Sequence, residues 1–253
     1  MSDHKILLVG LVCVDIVNVC QQFPEEDTDT GVLYQEWKRG GNAANNATIL
    51  SLLGVSCEFL GTIANSYEKE FLLEDFSKYN IDISNCIFYD NHSTPLSIAR
   101  RGKENAVAIQ QMLEKIADHN QKNNASNQIL TSIELEKAVP EFSILMNLSD
   151  YVIVGKDYSQ YHGYSSMEEA IMGFGPKCRP GSALICTWGA QGAMCRHGDG
   201  TTHKSPAVPP NKLLDTLGAG DTFTADAITL MVVALTTHKG CSVLQKTNYI
   251  GGS

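Results

Sequence analysis

Stretches of β-branched and aliphatic residues recur along this chain, and they alternate with stretches of helical spacing. "KILLVGLVCVDIV" is apolar nearly throughout, as expected of a strand buried on both faces. "SCEFLGTIA", "QILTSIELE" and "SDYVIVGK" are further strand candidates, and "SALICTWGAQGAMCRHGDG" reads as a strand, a tight turn and a returning strand. "GNAANNATILSLLG" reads as a helix that starts at two glycines with an Asn cap and stops at Gly54. "SYEKEFLLEDFSKYN" spaces Phe71, Leu72, Asp75 and Phe76 as an amphipathic helix does. The stretch after "NHSTPLSIA" turns helical, and "GAGDTFTADAITLMVVALTTH" is a strongly apolar helix. Strands alternating with helices predict an α/β fold, with a mostly parallel central sheet covered by helices on both faces. "GVLYQEWKRGG" alternates instead and is flanked by turn residues, which predicts an antiparallel strand near a rim.

A length of 253 residues suits a single α/β domain, 1–253, and no repeat, linker or low-complexity block divides it. The net charge of −9 argues against a broad nucleic-acid surface, though a local nest of amides can still hold a small anion. Eight cysteines without a CxxC pair predict buried free thiols in a reducing, cytoplasmic setting. No segment has the apolar length to span a bilayer, and the seven histidines show no paired metal spacing.

Ligands of such sheets sit where strands give way to helices, and two glycine motifs, "RGGN" and "GAGD", occupy that kind of place. In "DTLGAGDTF", Gly218, Ala219 and Gly220 leave backbone amides sterically open where a helix begins. The first amides of a helix lack internal partners and carry the positive end of its dipole, which makes an anion pocket. Asp221 then stands beside a bound anion and is repelled by it unless it accepts a proton from an attacking hydroxyl. The plainer alternative is that Asp221 caps the helix and the glycines shape a turn. In "RGGNAANNA", Asn42 and Asn45 are three residues apart and share a helix face, where amides suit neutral sugar hydroxyls. Here too a cap and a solvated amide are the plainer alternative. Asp15 closes a buried strand and Asp27 follows "FPEE"; either is a ligand contact or a loop acid.

"VGLVCVDIV", "RGGNAANNA" and "DTLGAGDTF", in this order and at these separations, resemble the ribokinase-type (PfkB) family of sugar kinases, most closely its ketohexose-specific branch. The resemblance covers most of the chain and implies a ribokinase-like fold with a small β lid, built around 11–40 and 85–100. It implies ATP-dependent phosphorylation of a ketohexose, fructose, at its first carbon, with Asp221 as catalytic base and Gly218, Ala219 and Gly220 as the anion hole. Asp15, Gly41, Asn42 and Asn45 would hold the sugar, with Asp27 near it on the lid side. Gly189 and Gly192 in "TWGAQGA", Lys156 in "VGKD" and Asp215 would lie on the nucleotide side. Magnesium would travel with ATP, a potassium ion would sit near the anion hole, and a homodimer through the lid would be the family's assembly.

The chain also departs from that pattern. Roughly 40 residues are missing after "STPLSIA", enough for a strand–loop–strand unit, and the C-terminal end is short. No NxxE pattern is evident around "GKDYSQ". These departures predict an incomplete lid, an interrupted core sheet and impaired turnover. Two other readings stay open: a ribokinase-type kinase of ribose or a nucleoside, and a sugar-binding isoform without turnover. A Rossmann dehydrogenase is disfavoured, because no GxGxxG follows the first strand.

Overall fold

The computed structural model describes residues 5–20, 31–97, 106–123, 128–136, 139–208 and 219–237. In chain order the elements are β1 (Ile6–Val9), β2 (Cys13–Cys20), β3 (Val32–Gly40), α1 (Asn42–Leu52), β4 (Cys57–Leu60), β5 (Thr62–Ala64), α2 (Lys69–Lys78), β6 (Ile87–Tyr89) and β7 (Leu96–Ser97). Then follow α3 (Ala106–Lys122), β8 (Ser132–Leu135), β9 (Tyr151–Val154), α4 (Lys156–Tyr161), α5 (Met167–Phe174), β10 (Ala183–Thr187), β11 (Ala193–Arg196), β12 (Thr202–Ser205) and α6 (Ala219–Thr237). These form two compact units, the first from 1–102 with 215–244, the second from 103–214 with 245–253.

In the first unit, β1 runs parallel to β4 and β5 parallel to β6, while β2 is central to the order β3-β2-β7. The β2–β3 pair is a long antiparallel ribbon, in register from Cys13↔Gly40 to Cys20↔Val32, with an irregularity at Val19/Cys20. The core lies beneath it, where Leu50, Phe59, Leu72, Phe76 and Ala225 are fully buried. Phe59 and Phe76 stack with ring centroids 5.0 Å apart.

The second unit is built on the sheet β12-β11-β10-β9-β8. Strands β8, β9 and β10 are mutually parallel, and β11 and β12 return antiparallel. Helix α5 covers this sheet with Met167, Ala170, Ile171 and Phe174. Ser166 caps it, its hydroxyl accepting from the Glu169 amide at 3.1 Å. Tyr158, Phe174 and Met146 fill the centre of this core.

Several sequence expectations change in detail. "KILLVGLVCVDIV" is two strands, broken at Gly10–Val12, and β1 is not buried on both faces: Leu7 and Val9 are exposed. "SCEFLGTIA" also splits at Gly61, because β4 pairs with β1 and β5 with β6. Gly41, not Asn42, is the cap residue of α1, with φ of 102°; Asn42 is the first helical residue. The parallel strands are present and helices pack on them, but among the described residues they fall into separate sheets. Cys13, Cys57, Cys86, Cys178, Cys186 and Cys195 are free and buried.

Candidate active site

The first unit brings the two glycine motifs together. Strand β2 carries Asp15 opposite Lys38, and the Asp15 carboxylate leans over Gly40, where a β-carbon would collide with it. Gly41 follows in a left-handed conformation, and a β-carbon there would strike the Leu11 carbonyl oxygen. At Gly41, therefore, the turn from β3 into α1 leaves room only for glycine. The Gly41 carbonyl accepts the first helical bond, from the Asn45 amide at 2.8 Å. Asn42 and Asn45 thus occupy the first turns of α1, at the mouth of the ribbon.

Helix α6 arrives from the far end of the sequence. Ala225 is fully buried in the first unit's core and Ile228 packs against it, which fixes the helix. Its first turn then places Asp221 beside α1: Asn45 Nδ2 donates to Asp221 Oδ2 at 2.8 Å. Gly220, one residue earlier, is exposed, and a β-carbon there would meet nothing within 4 Å. Among the described residues no neighbour accounts for that glycine, so space is open beside the first turn of the helix. Such a place accepts an anion through amides and dipole together.

Asp27, Asp215 and Gly218 lie outside the described residues. Ala219, Gly220, Asp221, Asp15, Gly41, Asn42 and Asn45 all belong to the first unit. Lys156, Gly189 and Gly192 belong to the second. Lys156 is the exposed first residue of α4, directly beyond β9. Gly189 and Gly192 have φ of 55° and 92° and close the tight turn between β10 and β11, with the Trp188 amide bonded to the Gly192 carbonyl at 2.8 Å. Gly192 also abuts the Ser205–Ala207 backbone, which by itself explains the absence of a side chain. Among the described residues no group of three or more His, Cys, Asp or Glu could hold a metal ion.

Sequence reasoning passed over Arg39, whose side chain is buried between β3, α1 and α2. Its signal was present: in an alternating strand, Lys38 and Arg39 must point to opposite faces, so one of the two cations faces the core.

Residues 3–145 and 113–231, two overlapping stretches, match the family described as pfkB family carbohydrate kinase. The chain belongs to this family. A pfkB carbohydrate kinase is an ATP-dependent sugar kinase. Mouse ketohexokinase is 34% identical over 265 residues, spanning 90% of this chain and 89% of the relative. A nucleoside kinase of Methanocaldococcus jannaschii is 23% identical over 255 residues, spanning 90% of this chain and 84% of the relative. Arabidopsis thaliana ribokinase, solved with ribose and ATP, superposes with a TM-score of 0.72 at 15% identity, covering 95% of this chain and 88% of that one. In the mouse alignment, 90% of 253 residues is about 228, set against 265 positions, so about 37 positions find no counterpart in this pfkB kinase.

Proposed function

We propose that this pfkB kinase phosphorylates a ketohexose, fructose, on its first-carbon hydroxyl. The hydrogen bond between Asn45 and Asp221 carries this reading, because it joins the sugar-side amides of "GGNAAN" to the acid of "GAGD" across 176 positions of sequence. Asn45 holds one carboxylate oxygen of Asp221 and so orients the base. The sugar is held by Asp15, Asp27, Gly41, Asn42 and Asn45. Its hydroxyl oxygen attacks the γ-phosphorus of ATP while its proton passes to the Asp221 carboxylate. The bond from the γ-phosphorus to the bridging oxygen breaks, and ADP leaves with that electron pair. Open amides at Gly218, Ala219 and Gly220 stabilise the charge on the transferring group, in a position where such donors are worth most.

Lys156, Gly189, Gly192 and Asp215 serve the nucleotide. Magnesium would travel with ATP and would offset phosphate charge, and a potassium ion would belong to the same reading. The acidic balance and buried free thiols support a cytoplasmic enzyme of small molecules. A homodimer through the ribbon of β2 and β3 is the assembly that fits the family's lid.

The about 37 unmatched positions favour a second reading, in which sugar binds but turnover is much reduced. A coupled assay of fructose-dependent ADP release separates the two. In the first reading the parent turns over and Asp221→Asn lowers kcat by about 100- to 10,000-fold with fructose affinity kept. Undiminished turnover in that variant removes Asp221 from its role. A parent that binds fructose without releasing ADP supports the second reading.

A further inference from the structure

Arg39 is a buried cation that the proposed reaction does not use. Its side chain is 3% exposed. Nε donates to Asp75 Oδ2 of α2 at 2.5 Å, and Nη2 donates to the Thr48 hydroxyl of α1. The guanidinium carbon stands 4.4 Å above the centroid of the Phe76 ring. Nη1 is buried and has no hydrogen-bond partner among the described residues. Burying an imperfectly satisfied guanidinium is costly, and apolar residues of similar volume often replace such pairs without loss of stability. Trp37, two residues earlier on the same face of β3, shows the apolar solution: it packs edge-on against Phe71 of α2 with centroids 5.8 Å apart. Holding the ribbon to α2 does not by itself call for an arginine.

A guanidinium differs from an apolar side chain in direction. Its planar fork fixes several partners at set angles. Here the fork ties three elements at one point, where β3 ends and the chain passes through Gly40 and Gly41 into α1. On the inner face Arg39 pairs with the fully buried Val14; on the outer face the next β2 residue, Asp15, leans over Gly40. A shift of the fork would move Asp15, Gly41, Asn42 and Asn45 together. We infer that Arg39 is a positioning residue for the sugar site, acting through its clamp on Asp75 and Thr48 rather than by touching the sugar. This rests on the assignment of that site to a sugar.

The test uses the full chain, with titration calorimetry against fructose and against a non-hydrolysable ATP analogue, and urea unfolding as the control. Arg39→Met with Asp75→Leu replaces the pair by apolar volume; Arg39→Lys keeps the charge and loses the fork. Both are expected to fold, with fructose Kd raised at least about tenfold and the analogue's Kd within about twofold of the parent. Parent-like fructose affinity in a folded variant overturns the inference. So does equal loss of sugar and nucleotide affinity, which marks a general structural role. If the parent takes ribose or adenosine in place of fructose, the ketohexose reading fails, and the same variants titrated with that ligand decide Arg39 separately. A parent that binds none of the three overturns both.

Discussion

Gly41 and Gly220 are glycines for opposite reasons. Gly41 is glycine because the protein leaves no alternative: its φ is 102° and the Leu11 carbonyl occupies the place of a side chain. Gly220 has open space where a side chain would go. Gly41→Ala is therefore expected to cost about 1–3 kcal/mol of stability, read by urea unfolding. Gly220→Ala, in a helical first turn, is expected to be neutral or stabilising by up to about 1 kcal/mol. It should nevertheless lower turnover at least about tenfold, because its methyl group enters the anion space. A destabilised Gly220→Ala, or one with parent-like turnover, would remove that glycine from the anion hole. The types of these residues were legible in the sequence, since glycines at a helix start admit few explanations. The direct bond between Asn45 and Asp221 was not, because it depends on how α1 and α6 pack.

At the scale of elements, α4 and α5 hold the second unit's titratable weak point. His162 follows α4 and is packed between the rings of Tyr158, at 4.6 Å, and Phe174, at 5.4 Å. Its Nε2 is buried without a partner among the described residues. Burial, and secondarily the Lys177 cation, hold its pKa below the usual 6.5. The unfolded chain therefore binds the proton more readily than the folded one. Stability is complete above the unfolded pKa and declines as pH falls through the usual histidine range toward the depressed folded value. Comparing urea midpoints at about pH 7.5 and about pH 5.5, the parent should lose more than His162→Phe, which cannot be protonated. Equal losses would count against it. Element legibility followed length and period. The helix α3 and the hairpin of β10 and β11 were readable because their signals are long. The six-residue α4 in "KDYSQY" carries too little period to be seen. The split of "KILLVGLVCVDIV" was hidden because Gly10 sits among residues that suit a continuous strand, while pairing of β1 with β4 and of β2 with β3 decides otherwise.

On the scale of the molecule, the described residues proposed to hold the sugar fall in the first unit, and Lys156, Gly189 and Gly192 in the second. Fructose alone is expected to slow amide exchange in α1 and the ends of β2 and β3, and an ATP analogue alone in the turn between β10 and β11 and the start of α4. Hydrogen-exchange mass spectrometry of the two single complexes checks this. Protection of the second unit by fructose alone would argue for a different sugar site. The first unit is also discontinuous, taking α6 from beyond the second unit's sheet. On a ribosome, where chains emerge from the N-terminus and domains tend to fold as units, the second unit's sheet can assemble while the first still lacks the helix that packs Ala225 into its core. Asp221 is thus among the last described residues to be translated, and a nascent chain owns the amides proposed to bind sugar well before it owns the proposed base.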